Sequence, residues 1–112
     1  MKIYVMGALS EYGNVADPEE LQDIIGRLKD LGFKDVCSPL EIMKSDIPYT
    51  QKKEQRMEMI EVCDMVLLQR NWRQDPACHE DFAHAAKRGM HIRYNSSADW
   101  LDIRSLAGFP CN

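Results

Sequence analysis

Asp64-Met65-Val66-Leu67-Leu68 is the stretch on which the fold turns: four apolar residues in unbroken succession behind an acid. A strand with one wet face alternates polar and apolar residues. An unbroken short run is expected where a strand is covered on both faces of a parallel sheet. Ile3 to Met6, stopping at Gly7, has the same character and predicts a buried first strand. Downstream, Met90, Ile92 and Tyr94 alternate with His91 and Arg93, the pattern of a half-exposed edge strand.

Helical signals fill the intervals. Asp17-Pro18-Glu19-Glu20 supplies an N-cap, a Pro at the first helical position and two first-turn acids. Leu21, Ile24, Ile25, Leu28 and Leu31 then recur at helical spacing, and Gly32 ends the helix. A short strand over Lys34 to Cys37 follows, then a loop with Pro39 and Pro48. Thr50 is expected to cap a second helix, with Gln51 to Arg56 solvated and Met57, Ile60 and Cys63 turned inward. After the loop Gln69 to Ala77, a third helix ends at Gly89, and a terminal helix over Asp99 to Leu106 presents Trp100 and Ile103 to the body. Strands and helices alternating at this spacing predict right-handed crossovers and a single α/β domain over residues 1–112. The expected form is a flavodoxin- or Rossmann-like three-layer sandwich with about four parallel strands in the order 2-1-3-4. In such sheets ligands bind beyond the carboxyl ends of the strands, which directs attention to Gly7–Ala16, Ser38–Tyr49 and Gln69–Ala77.

Composition narrows the function classes. The 112 residues are 45% hydrophobic and 29% charged, with a net charge of −4, which fits a globular domain and not a disordered chain. Lys52-Lys53 and Lys87-Arg88 are short basic clusters and no long stripe exists, which disfavours nucleic acid as a partner. The apolar run at the N-terminus is too short for a signal-peptide core, and no membrane-spanning run occurs, so a cytoplasmic protein is expected. Cys37, Cys63, Cys78 and Cys111 form no C-x-x-C pair and read as reduced thiols. His79 and His84 are five residues apart, off the i, i+4 spacing of a metal-binding helix face.

Three segments together resemble the nucleoside 2-deoxyribosyltransferase-like superfamily, notably its short phage and bacterial members. Lys2-Ile3-Tyr4-Val5-Met6-Gly7-Ala8-Leu9-Ser10 is similar to the opening strand and turn of that superfamily. Cys63-Asp64-Met65-Val66-Leu67-Leu68 is similar to its helix-to-strand step, with Trp72 where short members often carry one. Asp75-Pro76-Ala77-Cys78-His79-Glu80-Asp81-Phe82-Ala83-His84-Ala85-Ala86-Lys87-Arg88-Gly89 resembles its active-site loop and helix. The family spacing of acid, Glu, Ala and Gly falls on Asp75, Asp81, Ala85 and Gly89.

The resemblance implies a nucleoside-like ligand near Tyr4, Asp75 and Asp81, with Gly7, Ser10, Trp72 and Glu80 around it. Asp81 would be the nucleophile, Tyr4 would orient it, and Asp75 would handle the base. No metal or redox cofactor is implied, and a homo-oligomer, dimer or larger, is. The chemistry suits carboxylates: breaking an N-glycosidic bond builds positive charge on the sugar, which a carboxylate stabilises or traps, while the departing base needs a proton. Both acids lie near the start of a helix, whose dipole favours their ionised forms. The chain also departs from the pattern. Asp81 is one methylene shorter than the usual Glu. Glu80 sits roughly 100° around the helix from it and so is expected to face elsewhere. Arg56 stands eight residues ahead of Asp64, where the family often has Asp. A nucleotide-hydrolysing branch typically carries Ser at the place of Asp75, and a carboxylate there repels phosphate. The competing function is a non-catalytic binding or interaction module of the same fold.

Overall fold

The computed structural model describes residues 1–9 and 15–108. Strand β1 (Lys2–Met6) leads to helix α1 (Pro18–Asp30), strand β2 (Asp35–Cys37), a short helix α2 (Leu40–Lys44) and helix α3 (Tyr49–Glu61). Strand β3 (Met65–Leu68), a 3-10 turn (Trp72–Gln74), helix α4 (Pro76–Lys87), strand β4 (His91–Tyr94) and helix α5 (Ser97–Leu106) complete the chain. The four strands are all parallel and lie in the order β2-β1-β3-β4, the predicted α/β arrangement.

β1 and β3 occupy the centre, and every residue of Met65–Leu68 is buried. Side chains alternate across a strand, so each central strand divides its residues between two cores. Ile3, Val5, Met65 and Leu67 meet Leu21, Ile24 and Leu28 of α1 and Trp100 and Ile103 of α5. Tyr4, Met6, Val66 and Leu68 meet Ile60 of α3 and Ala77, Cys78 and Ala85 of α4. Two apolar faces need two helix layers, which is why the unbroken run yields a sandwich. β4 is the partly exposed edge its alternation implies.

Local signals set most boundaries. Asp17 caps α1 by accepting from Glu20 N at 3.0 Å, and Gly32 follows its end at φ +97°. Three expectations are corrected. α3 begins at Tyr49 with Pro48 as its cap residue, so Thr50 lies inside the helix; the Pro48 carbonyl accepts from Gln51 N and Lys52 N. The loop between Pro39 and Pro48 contains α2. α5 starts at Ser97, two residues before the expected Asp99, because Ser96 accepts from Asp99 N at 3.3 Å. No helix among the described residues is long and apolar enough to cross a membrane.

Leu67 is fully enclosed between β1 and the α1–α5 layer, whereas Val62 is 63% exposed. Leu67→Ala is expected to lose about 2–5 kcal/mol of unfolding free energy. Val62→Ala should stay within about 0.5 kcal/mol of the parent. Urea titration of the two variants measures both.

Candidate functional site

Because Tyr4 is an even-numbered residue of β1, it faces the α3–α4 layer together with Met6. Its hydroxyl donates to Asp81 Oδ2 at 2.7 Å, joining the first strand to the sixth residue of α4. Arg56 of α3 reaches the other oxygen, Nε to Oδ1 at 3.1 Å. Its Nη2 donates to Glu80 Oε1 at 3.0 Å and its Nη1 lies 3.3 Å from Met43 Sδ of α2. Tyr4, Arg56 and Asp81 have no solvent-exposed surface. Glu80, at the rim, also takes the Tyr49 hydroxyl and Lys53 Nζ, the latter at 2.9 Å. The Arg56 guanidinium sits 5.5 Å from the Tyr49 ring centroid.

Burial governs the electrostatics here. It pushes Asp81 up to about 6, against the pull of Arg56 and the Tyr4 hydrogen bond in the other direction. Burial is thus the largest influence on Asp81, larger than either partner that favours its ionised form. Burial and the adjacent Asp81 charge hold the Tyr4 phenol well above its usual range, so it remains a neutral donor. Burial opposes the Arg56 charge, yet Asp81 keeps the guanidinium protonated beyond its ordinary value. At Glu80 partial burial is outweighed by Tyr49, Lys53 and Arg56, which lower its carboxyl.

Glu80, expected to face away from Asp81, instead meets the same guanidinium: the Arg56 fork spans both acids, with Asp81 enclosed and Glu80 at the rim. The polar run Gln51 to Arg56 predicts a solvated Arg56, and the residue is instead fully buried. A signal for this exists in the sequence: Arg56, Ile60 and Cys63 stand at i, i+4 and i+7, so Arg56 continues the apolar stripe.

Asp75 caps α4, Oδ1 accepting from Ala77 N at 2.8 Å, while Oδ2 accepts from Leu9 N at 2.7 Å. Both oxygens are thus held by backbone. Asn71 does similar work on Ala8 N at 3.0 Å, so the loop after β1 is tied to the segment after β3. Gly7 is needed for space: a Cβ there would lie 2.0 Å from Gln69 Oε1. Gln69 is fully buried, donates through Nε2 to Asp17 O at 3.1 Å, and keeps Oε1 without a hydrogen-bond partner among the described residues. Trp72 is buried, stacked on Phe82 at 5.0 Å and flanked by Tyr94 and His79. Ser10 lies outside the described residues.

A separate cavity of about 530 Å³ opens beyond the strand ends beside the start of α1, with Asp17, Glu20, Arg70, Asn71, Gln74 and Asn95 in its wall. Neither Tyr4, Arg56, Asp75 nor Asp81 lines it. Glu20 Oε2 accepts from Arg70 N at 2.9 Å and from Asn95 Nδ2 at 2.8 Å, bracing that wall. No group of three or more His, Cys, Asp or Glu among the described residues is placed to hold a metal ion.

The chain belongs to the DUF4406 family, a domain of unknown function, whose model matches residues 1–94. That span takes in all four strands and every residue of the Tyr4–Arg56–Asp81 cluster, and leaves α5 outside. No curated protein and no solved structure matches the chain.

Removing the cation from the buried pair should be severe. Arg56→Met is expected to lose about 3–5 kcal/mol at neutral pH, because Asp81 is left buried and unpaired. Asp81→Asn added to that variant should restore part of the loss. In the parent, the folded state holds a proton on Asp81 up to about 6 while the ordinary value is 3.8. Between those two values folded chains bind more protons than unfolded ones, so the Asp81 contribution to stability falls as pH rises. Arg56→Met should extend that fall to higher pH, and Asp81→Asn alone should abolish it. Denaturant titrations from pH 4 to 8 measure each slope.

Proposed function

We propose that this DUF4406 chain binds a nucleoside or a closely related ligand and acts on its N-glycosidic bond through Asp81. What carries this function is the hydrogen bond from the Tyr4 hydroxyl to Asp81 Oδ2, a neutral phenol holding a carboxylate in one orientation across 77 residues of sequence. The similarity of residues 75–89 to the deoxyribosyltransferase helix supports it further.

In the proposed reaction an Asp81 oxygen forms a bond to the anomeric carbon as the bond from that carbon to the base nitrogen breaks. The base leaves with the bonding electron pair and takes a proton from solvent. Water or a second base then attacks the anomeric carbon, breaking the ester and returning the carboxylate. Asp75 contributes by position: with both oxygens on backbone N–H groups, it fixes the loop after β1 against α4. Asp81 is enclosed, so the sugar reaches it only through local opening of the surrounding chain. Partner copies that complete the pocket belong to this proposal, as a dimer or larger assembly.

A non-catalytic binding module is the second reading, and one observation favours it: the roomy cavity beside α1 lies apart from the enclosed Asp81. Its volume of about 530 Å³ falls within the range of small-molecule pockets.

Incubation with each of the four deoxyribonucleosides and a free acceptor base, with chromatography of the bases, decides between the two. The enzyme should release or exchange base, and Asp81→Ala should abolish this. Tyr4→Phe should slow it by about tenfold or more, since orientation alone contributes at least that much. An active nucleophile must be ionised, so the rate should rise with pH through about 6. Asp81→Glu should raise turnover in a weak enzyme and leave a binding module inactive. Absence of turnover in the parent and in Asp81→Glu selects the binding module. Light scattering during sizing tests assembly: a mass near 12.9 kDa rejects the oligomer.

A further inference from the structure

β2 ends at Cys37, and Cys63 stands between α3 and β3, so in the strand order β2-β1-β3 the two residues approach from either side of β1. Their Sγ atoms are 3.5 Å apart. A disulfide has its sulfurs about 2.05 Å apart, so closure requires an approach of about 1.5 Å. The setting allows it on one side: β2 is a three-residue edge strand, and Cys37 sits at its end, half-buried. Cys63 is only 8% exposed, and its Sγ lies 3.2 Å from the Met59 carbonyl.

We propose that Cys37 and Cys63 are a peroxide-sensitive dithiol that closes into a reversible intrachain disulfide across β1. Cys37 is the attacking thiol, since it is the one that solvent reaches. Hydrogen bonding from Cys63 brings it down to about 7, against the opposing effect of burial and with help from Lys2. The Cys37 thiolate displaces hydroxide from hydrogen peroxide and becomes a sulfenic acid. The Cys63 sulfur then attacks that sulfur while its own proton passes to the departing sulfenic hydroxyl, so the S–S bond forms as the S–O bond breaks and water leaves. In sum, two thiols lose two electrons and two protons to one peroxide, giving one disulfide and two waters. Cys78 is a bystander because it is fully enclosed, whereas Cys63, whose thiol is also pushed up by the Cys37 hydrogen bond and burial, has the Cys37 sulfur 3.5 Å away. The bridge lies on the face of β1 that carries Tyr4, whose register partner is Cys37. This inference does not depend on the N-glycosidic activity and stands or falls separately from it.

The experiment treats the reduced full chain with a few equivalents of hydrogen peroxide, alkylates it under denaturing conditions without reductant, and maps tryptic peptides. The expected product links residues 35–44 to residues 57–70, lighter than the two reduced peptides by two hydrogens, and dithiothreitol reverses it. Cys37 should disappear at least about tenfold faster than Cys78. In Cys63→Ser, Cys37 should accumulate as a sulfenic acid that dimedone captures; in Cys37→Ser, Cys63 should remain alkylatable. A sulfinic or sulfonic acid at Cys37 beside an unreacted Cys63 in the parent overturns the proposal. So does a bridge to Cys111 or to a second chain, or a Cys37 that outlasts Cys78. The parent peptide map tests the proposal even where a serine variant does not fold.

Discussion

Taking a guanidinium and a carboxylate out of water together costs several kcal/mol for each ion, and their attraction offsets this only when geometry and further hydrogen bonds are good. Between α3 and α4 this condition is met by four elements at once. Arg56 comes from α3, Asp81 and Glu80 from α4, Tyr4 from β1 and Met43 from α2. The layer cannot slide along the sheet without leaving a charge alone in the interior. The pair therefore sets the relative position of α2, α3 and α4 more sharply than apolar contact does, since hydrophobic burial is non-directional.

That arrangement presupposes the sheet. Because β1 is covered on both faces, its alternating side chains are distributed to two cores, and Tyr4 goes to the side where Asp81 lies. The strand ends are joined by polar contacts of a different kind. Asp75 and Asn71 take the backbone N–H groups of Leu9 and Ala8, and the Gln69 amide packs against Gly7, where no side chain fits. Residues that resemble a binding loop are in part a latch between the segments that follow β1 and β3.

For the proposed chemistry, the pairing of Asp81 with Arg56 has a direct consequence. The carboxylate that would stabilise a sugar cation already shares its charge with an internal cation, Arg56 Nε lying 3.1 Å from Asp81 Oδ1. Burial, the largest influence on Asp81, keeps its proton until about pH 6. Arg56 keeps the carboxylate ionised at neutral pH in spite of that burial and competes for it with any ligand.

Periodicity and end signals determined the elements: the strands at Met65–Leu68 and Lys2–Met6, the capped α1 and the edge character of β4 follow from local patterns, and the alternation of strands and helices predicts the α/β class. Such patterns report whether a residue is covered. They do not report which distant residue covers it. Tyr4, Asp75 and Asp81 stand out only through the resemblance of their segments to a known superfamily, and the partners of Arg56, the α2 turn and the start of α3 at Tyr49 are not legible at all. Arg56 reads as solvated because a charged residue in a polar run normally is, and only the packing of α4 against α3 supplies the two acids that let it go inside. Which residues form the layers can thus be read along the chain. The tertiary structure alone decided which charges meet between them, because an ion pair depends on distance in space, and residues 56 and 81 are brought within reach only when the sheet closes the chain between them.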